Sequence, residues 1–145
     1  MKLDHIGIVV KNLKKSQIYY EKNFGFKSIS KIIVEPAHNV KIQFIDFGYG
    51  TNGPVIELVS PMSKKSKVYN FLVNNGGGTH HFAFFVKNIN KSIKNLQKSG
   101  SIVISNIIPG AGHKKTKTVW LLSSDKSLIE LIEKKKNVSF KNRLT

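Results

Sequence analysis

The chain contains two copies of one segment. When His81 is set on His5, Val86 falls on Val10, Lys87 on Lys11, Asn88 on Asn12, Lys91 on Lys15 and Ser92 on Ser16. Self-similarity of this kind marks a supersecondary unit used twice, each copy needing a neighbour to bury its apolar face. With 145 residues the chain suits two small modules around a shared core, because neither alone removes enough apolar surface from water.

Both copies read in the same order. Residues 3–10 are β-branched and apolar, as in a strand. Leu13, Ile18 and Phe24 then recur at roughly helical spacing, and Gly25 stands where a helix stops. Lys27 to Val34 alternates as a second strand, and Glu35-Pro36-Ala37-His38-Asn39 breaks it, because proline has no donor for the ladder. Val40 to Phe47 and Val55 to Val59 are two more strands around a glycine-rich turn, 48–53. After a polar connector, a short helix at Val68 to Val73 and the flexible Gly76-Gly77-Gly78, the second copy follows. It reads as strand 79–86, helix 89–98, strand 101–107, a turn at Pro109 to His113, strand 116–122 and strand 127–132. The expected fold class is therefore α+β: two tandem βαβββ modules forming one curved, cup-like mixed sheet with helices outside. Module 1 covers about 1–61, the connector 62–78, module 2 about 79–133, and a loosely held basic tail 134–145, all within one domain.

Composition narrows the chemistry. There is no cysteine, which excludes disulfides, thiol nucleophiles and thiolate metal sites. The opening residues lack a signal-peptide pattern and no apolar run has membrane-spanning length, so a cytoplasmic protein without membrane association is expected. The formal charge is +16, but it comes almost wholly from lysines dispersed among asparagines, and Arg143 is the single arginine. Base reading favours arginine, so nucleic acid is not an expected partner; compositional bias or a polyanionic substrate fits better.

Acids are scarce, eight in all, which makes two of them conspicuous. Glu57 sits at the centre of Val55-Ile56-Glu57-Leu58-Val59, and Glu130 at the centre of Leu128-Ile129-Glu130-Leu131-Ile132. A carboxylate buried in an apolar strand costs several kcal/mol unless a cation or donor meets it. Each copy thus offers one histidine on its first strand and one glutamate on its last: His5, Glu57, His81 and Glu130. Two imidazoles and two carboxylates suit one divalent ion, with zinc, nickel, cobalt, manganese and iron all compatible. His80 points to the opposite face from His81 by strand parity and is not included.

Paired βαβββ modules with this His/Glu/His/Glu set resemble the vicinal oxygen chelate superfamily, which includes glyoxalase I, methylmalonyl-CoA epimerase and metal-free antibiotic-binding proteins. Leu3-Asp4-His5-Ile6-Gly7-Ile8-Val9-Val10, Ile56-Glu57-Leu58-Val59-Ser60-Pro61, Gly76-Gly77-Gly78-Thr79-His80-His81 and Pro109-Gly110-Ala111-Gly112-His113 are most similar to the epimerase. The resemblance implies a metal-dependent isomerase that removes a proton alpha to a carbonyl. Glu57 and Glu130 would serve as proton carriers, the substrate would be a coenzyme A thioester, and the protein would be a homodimer. A glyoxalase I-like lyase acting on a thiol hemithioacetal is the alternative, and a non-catalytic small-molecule binder is the alternative from another class. The resemblance also leads one to expect a glutamate where Ala37 stands, with Glu35 two residues away.

Overall fold

A computed structural model describes residues 1–48, 53–109 and 116–133. The basic tail, residues 49–52 of the first turn and residues 110–115 of the second lie outside the described residues. The elements run β1 (Lys2–Val9), α1 (Leu13–Phe24), β2 (Lys27–Ser28), β3 (Ile33–Glu35), β4 (Val40–Asp46), β5 (Val55–Pro61), α2 (Tyr69–Asn75), β6 (Gly78–Val86), α3 (Ile89–Lys98), β7 (Ile102–Val103), β8 (Ile108–Pro109), β9 (Lys117–Leu122) and β10 (Leu128–Glu133). They form two compact units, one spanning Ile6–His80 and the other joining Met1–His5 to the chain from His81 onward, so β1 contributes to both.

In the Ile6–His80 unit, Asn12 starts α1 by accepting the Lys15 amide on its side chain, and Gly25 ends it with φ at 69°. Both ends are satisfied in the way their residue types favour. Strands follow the order β2-β4-β5-β1, with β3 also on β4. Strand β4 pairs antiparallel with β5 from Val40 opposite Pro61 to Asp46 opposite Val55. Leu13 on the helix packs with Ile45, Ile56 and Leu58. Alternation therefore turns Ile42, Phe44 and Asp46 to the face away from α1, together with their partners Val59, Glu57 and Val55. Gly77, with φ at 111°, cannot carry a side chain, because a Cβ there would lie 2.7 Å from the Val9 carbonyl oxygen.

The second unit repeats these devices. Asn88 accepts the Lys91 amide at the start of α3, and the Glu133 carboxylate accepts the Ile89 amide, another N–H that the helix leaves open. Strand β6 pairs parallel with β10, β10 pairs antiparallel with β9, and β9 carries β7 and β8, which makes the sheet mixed. Ile89 packs with Val86, Val119, Leu121 and Leu131 on the helix side. The alternate residues Glu130 and Trp120, paired across β10 and β9, face the other way, as do Ala83 and His81 on β6.

Two expected strands are interrupted. The stretch 27–34 becomes β2 and β3, and 101–107 yields only β7, with β8 starting at Ile108. The cause is the same in both copies: a serine hydroxyl takes the place of a ladder carbonyl. The Phe44 amide donates to Ser30 Oγ and the Trp120 amide to Ser105 Oγ, each at 2.9 Å, so the strands bulge there. Glu35, expected in the break, instead ends β3 opposite Val40. The short helix is shifted to Tyr69–Asn75 and stops at Gly76 with φ at 72°.

Candidate metal centre

His5, His81 and Glu130 come together in the unit that joins Met1–His5 to the second half of the chain. Each arrives on a different strand, β1, β6 and β10. One ligand atom from each lies within 4.8 Å of the others. His5 Nε2 is 3.1 Å from His81 Nε2 and 3.6 Å from Glu130 Oε2. The imidazole rings stand edge to face at 86°. All three residues are buried, His5 completely.

The outer contacts decide which atoms face inward. His5 Nδ1 lies 2.9 Å from Asp4 Oδ2, both residues fully buried. A carboxylate accepts only, so Nδ1 carries the proton and donates it, which leaves the Nε2 lone pair directed at the centre. On the other side the His81 ring meets the edge of Trp120, with centroids 4.8 Å apart. His5 Nε2, His81 Nε2 and Glu130 Oε2 then converge out of bulk water, and a shared proton or a cation among them offsets the cost of burying them together.

The two spacings from His5 are on the scale of ligands around one divalent ion. Ligand atoms about 2.1 Å from a metal are separated by about 3.0 Å at a right angle and about 3.4 Å at a tetrahedral angle. The observed 3.1 and 3.6 Å fall at this scale. The donor set, two imidazoles and a carboxylate, favours zinc or another first-row ion over calcium or magnesium.

Glu57 belongs to the other unit, half-buried at the centre of β5 opposite Phe44. It occupies there the place Glu130 occupies opposite Trp120. His80, excluded by parity, contacts Phe71 with ring centroids 4.9 Å apart. Glu35 is buried and shares with Val40 the sheet face that carries Glu57, whereas Ala37 lies exposed in the turn beyond it. Asp4 and Trp120 are the site residues that sequence reasoning passed over. Strand parity argues against Asp4, the immediate neighbour of His5. The available signal was an acid next to a histidine in a chain with few acids.

Comparison with known proteins places the chain in a family. Residues 4–117 match the Glyoxalase/Bleomycin resistance protein/Dioxygenase superfamily. The chain belongs to that superfamily. Among its relatives are the mitochondrial methylmalonyl-CoA epimerase of Dictyostelium discoideum, 32% identical over 136 residues, 92% of this chain and 78% of the relative, and the human mitochondrial methylmalonyl-CoA epimerase, 30% identical over 115 residues. The human match takes in 79% of this chain but 62% of the human protein. The crystal structure of methylmalonyl-CoA epimerase from Mycobacterium tuberculosis superposes with a TM-score of 0.80 at 20% identity, covering 93% of this chain and 89% of that one. The superfamily fold expected from the repeat is thus the observed one.

Proposed function

We propose that this superfamily member binds one divalent cation through His5, His81 and Glu130, with Glu57 as a fourth ligand, and isomerises an acyl-coenzyme A thioester by moving the proton alpha to its carbonyl. The observation that carries this is the buried His5–His81–Glu130 cluster with Asp4 behind His5. The ion, when bound, supplies Lewis acidity toward a carbonyl oxygen. Asp4 holds the proton on His5 Nδ1 and so keeps Nε2 a ligand. Glu130 and Glu57 are the proton carriers. One carboxylate accepts the alpha proton and the other returns one, which is the minimum that inversion at a carbon requires. The lysine-rich surface suits the phosphates of coenzyme A. A homodimer acting in the cytoplasm completes the reading. No helix among the described residues is long and apolar enough to cross a membrane.

Ala37 favours one rival. The turn after β3 brings no carboxylate at that position, and a glyoxalase I-like lyase, which needs only Glu57 and Glu130 as acid and base, is indifferent to the loss. A non-catalytic antibiotic binder leaves the buried ligand cluster without a purpose. Incubation of the metal-loaded protein with methylmalonyl-CoA in deuterated water, followed by NMR, tests the proposal. Loss of the alpha-proton signal supports it, whereas no exchange together with turnover of a hemithioacetal assigns the lyase.

A further inference from the structure

The face of the second unit that carries the metal cluster continues past it. On β9, Trp120 lies opposite Glu130 and Thr118 opposite Ile132. Alternation then brings Thr116, the residue before β9, to the same side. Burial agrees, since Thr116 and Thr118 are 6% and 2% exposed while Lys117 between them is open to solvent. The two threonines differ in one respect. Thr118 Oγ1 donates to the Ile108 carbonyl at 3.4 Å, whereas Thr116 Oγ1 is buried with no hydrogen-bond partner among the described residues.

A buried hydroxyl without a partner is uncommon and costs free energy, which makes it a marker for something that arrives from outside the chain. Its position says what kind of group that is. Four residues of strand separate Thr116 from Trp120, about 13 Å at the usual rise. A small acid held at the cluster does not extend so far. An elongated thioester does, because coenzyme A carries two amides and a hydroxyl along the arm that follows its sulfur.

We propose that Thr116 Oγ1 hydrogen-bonds the pantetheine arm of an acyl-coenzyme A substrate, so that the binding site runs along β9 from the His5–His81–Glu130 cluster to Thr116. This rests on the thioester reading above and narrows it: Thr116 recognises the arm and takes no part in proton transfer. It makes the site selective for long thioesters over hemithioacetals of small thiols. The hydroxyl serves equally as donor to an amide carbonyl or acceptor from an amide N–H.

The test uses the full-length, metal-loaded protein and two probes, propionyl-CoA and the truncated S-propionyl-N-acetylcysteamine, with affinities from calorimetry and melting temperatures from thermal shift. Thr116→Val keeps the shape and removes the hydroxyl. The separation of about 13 Å puts the bond on the second amide or the hydroxyl of the arm, beyond the first amide that the truncated thioester keeps. Thr116→Val therefore weakens propionyl-CoA binding about three- to tenfold, the worth of one neutral hydrogen bond, and leaves the truncated thioester unaffected. Thr116→Ser retains wild-type affinity. Without ligand, Thr116→Val melts no lower than wild type, because the hydroxyl it loses has no partner among the described residues. Equal propionyl-CoA affinity in wild type and Thr116→Val, or a marked fall in the melting temperature of the free variant, overturns the proposal. Failure of the metal-loaded wild type to bind any acyl-coenzyme A overturns the thioester reading itself, a different result.

Discussion

Replacing Asp4 by asparagine tests the orientation of His5 while hardly altering volume. The carboxylate at 2.9 Å fixes the proton on His5 Nδ1. An amide in its place can turn its NH2 to the ring, which makes Nδ1 an acceptor and moves the proton to Nε2, where it blocks the lone pair that faces His81 and Glu130. Outer-sphere carboxylates of this kind are typically worth about 10- to 100-fold in metal affinity, or about 1.4 to 2.7 kcal/mol. Both residues are fully buried, so bulk water does not screen the effect. A competition titration of cobalt against a chromophoric chelator reads the affinity, and circular dichroism checks that the variant is folded. A folded Asp4→Asn protein that holds cobalt within twofold of wild type would refute the reasoning, since His5 would then not depend on Asp4 for its tautomer.

Three further outcomes follow from the fold. Gly77→Ala places a Cβ 2.7 Å from the Val9 carbonyl at a φ of 111° and lowers stability by roughly 1–3 kcal/mol in urea unfolding. Leu131→Ala, at a fully buried position in the core under α3, costs about 2–5 kcal/mol in the same assay. The Glu21 carboxyl is held below its usual range, chiefly by the Gln17 amide and also by the Ser28 N–H and the Lys14 charge. Its contribution is therefore present above the unfolded-state value and lost as pH falls through the depressed folded value. An acid-unfolding profile of Glu21→Gln lacks that part of the acid limb.

The repeat made much of this architecture legible in advance. Aligning His81 with His5 located two of the three clustered residues, and a lone acid in an apolar strand located Glu130. These signals survive because burial punishes a misplaced charge wherever it stands in the sequence. The capping asparagines Asn12 and Asn88 recur for the same reason, as local hydrogen bonds that the residue type dictates. The strand interruptions were not legible. Hydrophobic alternation runs through residues 27–34 and 101–107, and only the pairing of Ser30 and Ser105 hydroxyls with amides of a distant strand creates the bulges. Asp4 was hidden by a rule that holds for ideal strands, namely that neighbours face apart. The Thr116 hydroxyl carried no sequence signal, because its lack of a partner among the described residues arises only once the chain is packed.

The central claim is that His5, His81 and Glu130 form a metal site. Elemental analysis of the purified, reconstituted protein, alongside His5→Ala, His81→Ala and Glu130→Ala, measures it directly. The account predicts one tightly held first-row divalent ion per wild-type chain and its loss from each folded variant. A folded wild-type protein that retains only a trace of metal would contradict it and show that a shared proton, not an ion, joins the two imidazoles and the carboxylate.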